Sequence, residues 1–279
     1  MNLHTDGKLF SETIRAASQH SGIRSLFVEK DYWITFVLSQ LSGSQYTGQA
    51  VFKGGTSLSK GYGLISRFSE DVAIAIISED NQSGNEIKTV IRTVEKDMTA
   101  GLKEKQVEGV SSKGSRYRKS VFEYESLDRT NASGTLIFEV NSFANPFPFR
   151  SLSIRSFAHD FLAETGKEKL IEKYGLRPFQ VNVLDKDQTL VEKLVSLFRF
   201  SFDANPKTSI ASKIRHFYDL YYLMKDAECV AFVKSSEFQS VLKKYYSMIG
   251  NYLISLAAGG IGRFKNHRCS WILTTFGNH

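Results

Sequence analysis

The sequence predicts a mixed α/β fold with an all-helical C-terminal part. Short apolar runs of strand length, at 50–53, 71–77 and 134–143, alternate with amphipathic helical patterns in the first two thirds of the chain. From residue 187 onward the apolar residues recur only at helical spacing. The composition, 42% hydrophobic and 23% charged, is that of a globular protein. We therefore predict two domains, 1–184 and 185–279.

The elements of the first half follow from periodicity and punctuation. We predict helices at 8–20 and 27–42, the second ending before Gly43. A strand at 50–53 runs into two glycines, and a helix then begins at Thr56 or Ser57, because hydroxyl residues are favoured helix N-caps. The run 71–77 is an apolar strand, 81–85 is a loop, and 86–105 is an amphipathic helix.

The second half begins with a basic approach to a hairpin at 113–119. Residues 120–126 and 134–143 are predicted strands that pair antiparallel, and 180–184 adds another strand. The remaining helices are predicted at 187–202, 208–225, 234–258 and 269–276.

The net charge favours an anionic partner. Lysine and arginine total 36 against 29 acidic residues, which gives +7 at pH 7. Nucleic acid is the first candidate, and a merely soluble basic protein is the alternative. The two cysteines, Cys229 and Cys269, lack the spacing of a zinc site and fit a reducing compartment. With no secretory signal pattern and no long apolar run, we expect a cytoplasmic protein without a membrane partner.

The segment from Phe52 to Ile77 carries the chemistry. Gly54 and Gly55 let the backbone approach a ligand closely, and the following helix start offers N–H groups to a phosphate. The hydroxyls of Thr56 and Ser57 are further candidate donors. The same strand, glycine pair and helix also occur as a simple tight turn.

Two carboxylates stand on the predicted strands. Asp71 begins the strand 71–77, and position 73 shares its face, so a carboxylate at each would suit magnesium. Position 73 is alanine, which breaks the pair, and Asp71 alone also reads as a carboxylate at a strand end. Glu139 lies inside the apolar strand LIFEVNSF, where a carboxylate is costly unless it is paired, protonated or metal-bound. A solvated edge strand is the alternative for Glu139.

These motifs resemble the AbiEii/AbiGii toxin family, to which the MenT toxins are similar, within the DNA polymerase β-like nucleotidyltransferases. FKGGTSLSKGYGLISRFSEDV resembles the glycine motif and first carboxylate, and FEVNSFANPFPF the strand of the third carboxylate. VEKDYWIT, TLVEKLVSLFRF and RHFYDLYYL resemble its helical motifs. The resemblance spans about residues 28–223 and implies a nucleotidyltransferase domain with a short mixed sheet, completed by a C-terminal helical bundle.

The chain departs from the family pattern at Ala73, where the resemblance calls for aspartate. Because the other motif residues are in place, our hypothesis is that Ala73 is an engineered substitution that disarms a toxic enzyme. A natural pseudoenzyme is the alternative, and an alanine codon in the native gene would exclude engineering.

The resemblance implies roles for the motif residues. Asp71, position 73 and Glu139 would hold Mg²⁺ or Mn²⁺, with Glu139 nearest the attacking hydroxyl, as a base or a ligand. The glycine loop, from Gly54 to Ser57, would cradle the phosphates of an NTP.

Five further residues are candidates for the nucleotide site, and four of them are basic side chains, on the two later helical motifs and after the glycine loop. Lys193 suits triphosphate binding, with a solvated helix face as its alternative. Arg215 would be oriented by Asp219, four residues on, although that spacing also permits a plain salt bridge. Lys60 and Arg67 are candidates to reach phosphates, with a solvated surface as the alternative. We expect Lys30 or Asp31 to brace the floor of the site.

The resemblance also implies the function. We expect metal-dependent transfer of a nucleoside monophosphate from an NTP to RNA, with the tRNA 3′ end as the acceptor, which would block translation. The basic stretch from Lys103 to Arg129 and the C-terminal lysines are candidates for the RNA track. A toxin of this kind, acting in a toxin–antitoxin or phage-defence system, implies a cognate antitoxin. The alternatives are nucleotidylation of a protein, or a non-catalytic nucleotide-binding module.

Overall fold

The computed structural model describes residues 2–67, 71–79, 81–127, 134–143, 146–243 and 245. Within these ranges the strands are β1 Ala50–Lys53, β2 Asp71–Ile76, β3 Lys103–Lys105, β4 Ser112–Lys113, β5 Tyr117–Glu123, β6 Thr135–Asn141, β7 Phe149–Ile154 and β8 Phe179–Leu184. The α-helices are α1 Gly7–Ser21, α2 Ser25–Ser42, α3 Gly55–Lys60, α4 Gly84–Met98, α5 Phe157–Glu164, α6 Glu168–Lys173, α7 Lys186–Phe200, α8 Pro206–Ala211, α9 Ile214–Leu223 and α10 Ala227–Val233, followed by a helical segment at 236–243. The mixed α/β prediction is confirmed.

The strands form one mixed sheet in the order β3, β5, β6, β2, β1, β8, β7, with β4 paired to β5. The pairs β2–β6 and β1–β8 are parallel, and the other pairs are antiparallel. The central strands β6, β2 and β1 carry Glu139, Asp71 and Lys53. The topology therefore gathers the charged positions of separate sequence segments at the middle of the sheet.

The main core lies on the sheet face opposite these charges. Phe52, Ile74 and Phe138 are almost fully buried and belong to one cluster with apolar residues of α1, α2 and α4. The period-two alternation of the strands places these side chains on one face and leaves the alternate positions for the other. The core thus fixes which face of β1, β2 and β6 is available for chemistry.

A second, smaller core attaches the C-terminal helices. Leu58 and Ile65, from α3 and the loop after it, pack with Leu190 of α7 and Leu223 of α9. This contact places α7 and α9 beside the glycine loop, although both helices are far from it in sequence. None of the helices in the described part of the chain combines the length and apolar character required to cross a bilayer.

Several predicted elements were right in kind and wrong in extent. The antiparallel pair from 120–126 and 134–143 and the strand at 180–184 are confirmed as β5, β6 and β8. The helix predicted at 86–105 ends at Met98, because Gly101 adopts a left-handed conformation (φ 89°) and Lys103–Lys105 joins the sheet as β3. The helix predicted at 208–225 is divided into α8 and α9.

Sequence reasoning missed β7, α5, α6 and α10. β7 is an edge strand whose side chains are mostly exposed or half-buried, so it lacks the apolar alternation that would reveal it. The three helices are short, and α6 and α10 each bury a single residue, Ile171 and Cys229. Of the predicted helix 234–258, residues 236–243 are helical, and the helix predicted at 269–276 lies outside the described residues.

Candidate active site

The glycine loop is held by its own hydroxyls. Gly54 has φ 87°, a conformation that only glycine adopts easily, and α3 begins at the next residue. The Thr56 hydroxyl donates to the backbone carbonyl oxygen of Asp71 at 2.6 Å, and that of Ser57 donates to the Gly54 carbonyl at 2.8 Å. Both hydroxyls were expected to donate to phosphate; in the structure they fix the turn and tie it to β2.

Arg67 lies directly over Gly55. A Cβ atom built on Gly55 would stand 2.2 Å from Nη2 of Arg67, so only glycine leaves room for the guanidinium. Arg67 makes a bidentate contact with Asp219, from Nε to Oδ1 and from Nη2 to Oδ2, both at 2.6 Å. The need for glycine at position 55 therefore comes from a side chain packed against the loop.

Lys193 completes this arrangement. Its Nζ atom lies 2.6 Å from Oδ2 of Asp219, which is fully buried. Arg67, Lys193 and Asp219, here called the Asp219 cluster, come from the loop after α3, from α7 and from α9. The structure thus brings three of the predicted site residues together beside the glycine loop.

The Asp219 cluster carries an excess of positive charge, since two cations share one carboxylate. Burial acts to raise the pKa of Asp219, but the hydrogen bonds and charges of Arg67 and Lys193 outweigh it and hold that pKa below its ordinary value. Burial lowers the pKa of Lys193, against the effect of Asp219. The Nη1 atom of Arg67 is buried and has no hydrogen-bond partner among the described residues. A buried net charge with an unused donor favours an anion next to the loop.

The carboxylate face lies across the loop from this cluster. Ala73 is in register with Glu139 on one side and with Lys53 on the other, and register partners share a face of the sheet. Burial raises the pKa of Glu139 and Asp71 raises it further, whereas Lys53 and Lys119 act in the opposite direction. Asp71 and Glu139 are therefore close enough to interact as like charges.

The donor set fits a divalent cation only in part. Carboxylate oxygens are the ligands that magnesium prefers, and Asp71 and Glu139 supply them on neighbouring strands. The third position of the row is the methyl group of Ala73, and no group of three His, Cys, Asp or Glu side chains suited to a metal occurs within the described ranges. The site as it stands is one carboxylate short of the three that the family pattern implies.

Two predicted phosphate ligands require correction. Nζ of Lys60 lies 2.6 Å from Asp31 and also donates to the Arg155 carbonyl, and its side chain is only 10% exposed. Arg215 is exposed, and the carboxylate of Asp219 is bound by Arg67 and Lys193 instead. Lys60 therefore braces α2, through the Asp31 that we expected to support the floor, and the predicted pairing of Arg215 with Asp219 was wrong.

Sequence reasoning missed Lys53 and His216 near the site, and it predicted Lys119 only as part of a basic stretch for RNA, not as a neighbour of Glu139. Lys53 bonds Glu192 at 3.1 Å and so links the end of β1 to α7. His216 is mostly buried among Lys193, Lys213 and Arg67, and burial together with these charges lowers its pKa to about 3, so its ring is neutral. Lys119 stands in register with Glu139. None of these positions has a local signal, because each depends on strand register or on helix packing.

A family model described as "Nucleotidyl transferase AbiEii toxin, Type IV TA system" matches residues 37–267. No curated protein sequence matched the chain. Among solved structures, a crystal structure of JHP933 from Helicobacter pylori aligns with 82% of this chain and 96% of its own, at 14% identity and a TM-score of 0.36. A similarity of that size carries no argument about the site.

Proposed function

We propose, since the chain belongs to the AbiEii nucleotidyl transferase toxin family, that its site binds the triphosphate of an NTP beside the glycine loop and the Asp219 cluster. The members of this family are nucleotidyl transferase toxins of type IV toxin–antitoxin systems. The mixed α/β fold of the chain is consistent with a nucleotidyltransferase. We propose as the substrate an NTP whose nucleoside monophosphate is transferred to RNA when position 73 carries aspartate.

The excess positive charge of the Asp219 cluster is the observation that supports this proposal most strongly. Lys193 and Arg67 converge on one buried carboxylate, with Arg67 packed on Gly55. A polyphosphate placed against the loop would neutralise the positive charge of the cluster. Its oxygens would also accept a hydrogen bond from the unused Nη1 donor of Arg67. Catalysis of phosphoryl and nucleotidyl transfer consists largely of such positioning and charge neutralisation.

The reaction we propose is an in-line displacement. The oxygen of the acceptor hydroxyl forms a bond to the α-phosphorus, the bond from that phosphorus to the bridging oxygen of the β-phosphate breaks, and pyrophosphate leaves. We propose that Glu139, whose pKa is raised by burial, receives the hydroxyl proton. When bound, Mg²⁺ or Mn²⁺ would neutralise charge on the phosphates. Asp71 and Glu139 would hold it, together with an aspartate restored at position 73.

RNA is the acceptor that the charge of the chain favours. The net charge of +7 suits a polyanionic partner, and we propose the tRNA 3′ end, where an added nucleotide would prevent aminoacylation and stop translation. An antitoxin partner follows from the type IV toxin–antitoxin family. We propose that the chain with Ala73 binds NTP and does not transfer it, because its carboxylate row is incomplete.

A second candidate function is a nucleotide-binding module that performs no transfer. The methyl group of Ala73 favours it, because this chain keeps the Asp219 cluster while lacking a carboxylate beside Glu139. On this reading alanine is the native residue, and the Ala73→Asp variant would bind NTP without becoming toxic or active.

The test uses the Ala73→Asp variant in a cell lysate supplied with labelled NTP and magnesium, after which RNA and protein are separated. We expect label in the RNA fraction, in a band of tRNA size, and none with the unaltered chain. Label in the protein fraction alone would instead establish protein nucleotidylation. Label in neither fraction, with NTP binding retained, would support the non-transferring module.

A further inference from the structure

A row of side chains crosses the sheet beyond the carboxylates. Lys119 on β5 is in register with Glu139 on β6, which is in register with Ala73 on β2. Because β5 and the glycine loop after β1 lie on opposite sides of β6 and β2, Lys119 flanks Glu139 on the side away from the proposed triphosphate. Two strands, β6 and β2, therefore separate Lys119 from the strand that leads into the glycine loop.

Two cations of the helical part lie near this row, and one of them, Lys213, is within range of the charge of Lys119. Lys213 lies just before α9, with its Nζ 4.6 Å from the ring centroid of Phe200, and Arg199 of α7 has its Cζ 5.6 Å from the same ring. After burial, the charges of Lys119 and Arg199 are the causes that lower the pKa of Lys213. Lys213 is thus repelled by both Lys119 and Arg199, and these three residues, here called the acceptor cluster, would be stabilised by a polyanion.

An aromatic pair adjoins this cluster on the same strand face. Tyr117, two residues before Lys119 on β5, stacks on Phe143 with ring centroids 5.6 Å apart and an interplanar angle of 22°. After burial, Glu139 and Asp71 are the causes that raise the pKa of Tyr117, so its ring lies near both carboxylates. Sites for single-stranded nucleic acid combine cations that follow the phosphate backbone with aromatic rings on which the bases stack.

We propose that the acceptor cluster binds backbone phosphates of the acceptor RNA and that Tyr117 stacks on one of its last bases. The terminal hydroxyl of the RNA would then lie against Glu139, opposite the NTP. This inference rests on the proposed function and adds to it the residues that recognise the acceptor. It also favours an RNA acceptor over a protein acceptor, because a protein hydroxyl brings no chain of phosphates to the cluster.

The experiment measures the affinity of the unaltered chain for a short fluorescent single-stranded RNA in the presence of EDTA. Lys119→Glu and Lys213→Glu are compared with Lys88→Glu, which makes the same change in charge. Lys88 is exposed on α4, a helix that packs on the opposite face of the sheet. We expect each of the first two variants to bind RNA about tenfold more weakly or worse, and Lys88→Glu to bind as the unaltered chain does.

Three readouts separate recognition from simple loss of fold. NTP affinity in EDTA should be unchanged in Lys119→Glu, because β6 and β2 lie between β5 and the strand that leads into the glycine loop. The alanine variant Lys119→Ala should reduce the slope of log affinity against log salt by about 0.7, the value for one phosphate contact with a single strand. Tyr117→Leu should weaken RNA binding about fivefold or more, whereas Tyr117→Phe, which keeps the ring, should not.

The inference is overturned if Lys119→Glu and Lys213→Glu bind RNA as tightly as Lys88→Glu, or if the unaltered chain binds no RNA. Its failure is distinct from failure of the proposed function. Transfer to RNA by Ala73→Asp that survives Lys119→Glu at full rate would refute the acceptor cluster and leave the activity standing. RNA binding that depends on Lys119, with no transfer by Ala73→Asp, would support the cluster and contradict the activity.

Discussion

Ala73 and Glu139 are register partners on the parallel strands β2 and β6, so a methyl group stands beside a carboxylate whose pKa is already raised. A second carboxylate at position 73 would add repulsion from Glu139 and Asp71 when no cation is present. A carboxylate at position 73 should therefore lower the stability of the metal-free protein by a measurable amount.

We predict that Ala73→Asp lowers the melting temperature in EDTA by roughly 2–4 °C, which corresponds to about 1 kcal/mol for a chain of this size. Added magnesium should restore the loss, since a cation that binds only the folded state stabilises it. Thermal scanning with and without magnesium measures both effects, and Ala73→Asn is the uncharged control. A variant that melts at or above the temperature of the unaltered chain in EDTA would contradict the repulsion.

Asp219 is expected to matter for stability as well as for binding. Replacing it by Asn would leave Arg67 and Lys193 facing each other without a counter-charge, at a cost of about 3–5 kcal/mol. Denaturant unfolding near neutral pH checks this value. A loss below about 1 kcal/mol would show that the two cations do not depend on the buried carboxylate.

The stability that Asp219→Asn loses is expected to depend on pH. The pKa of Asp219 is lowered in the folded protein, so its contribution is fully present above the ordinary value of 3.8 and is lost as the pH falls through the lowered pKa. The difference in unfolding free energy between the unaltered chain and Asp219→Asn should therefore shrink in acid. A difference that stays constant across that window would contradict the shift.

Gly55→Ala is predicted to weaken NTP binding at a temperature where the variant is folded. Its Cβ would occupy the space of the Arg67 guanidinium and displace that group from Asp219. We expect NTP affinity to fall about tenfold, a loss of about 1.4 kcal/mol of binding energy. Gly48→Ala is the matched control, because nothing lies within 4 Å of a Cβ built there. Equal affinities in the two variants would remove Arg67 from the nucleotide site.

Lys60→Met separates the bracing role of Lys60 from the phosphate contact expected from sequence. It would leave Asp31 buried without its cation, so we predict a loss of about 3 kcal/mol in unfolding free energy. NTP affinity should be unchanged at a temperature where the variant is folded. Lys88→Met, at an exposed position, should change neither quantity. Weaker NTP binding with unchanged stability would return Lys60 to the phosphate site.

The sequence predicted local chemistry better than it predicted contacts. The apolar strand from Asp71 and the glycine pair before α3 are visible because strand alternation and turn residues act over a few positions. Family motifs singled out Lys193 and Asp219, but the partner of Asp219 lies 152 residues away, at Arg67. The expected partner, Arg215, satisfied the helical spacing, but it is exposed, and Arg67 and Lys193 bind the carboxylate instead.

Lys119 shows the same limit on the sheet. Its place beside Glu139 depends on the register of β5 against β6, which no single strand encodes. Lys60 was misassigned for a related reason. Its position after the glycine loop fits a phosphate contact, and only the packing of α2 reveals Asp31 as its partner.

The most direct test of the account combines purified protein, total tRNA, magnesium and each labelled NTP in turn. It compares the unaltered chain, Ala73→Asp, and Ala73→Asp combined with Lys193→Ala. We predict label on tRNA with Ala73→Asp only, reduced about a hundredfold or more by Lys193→Ala. No label on tRNA with Ala73→Asp, in a folded protein that still binds NTP, would contradict the claim that this site transfers nucleotides to RNA.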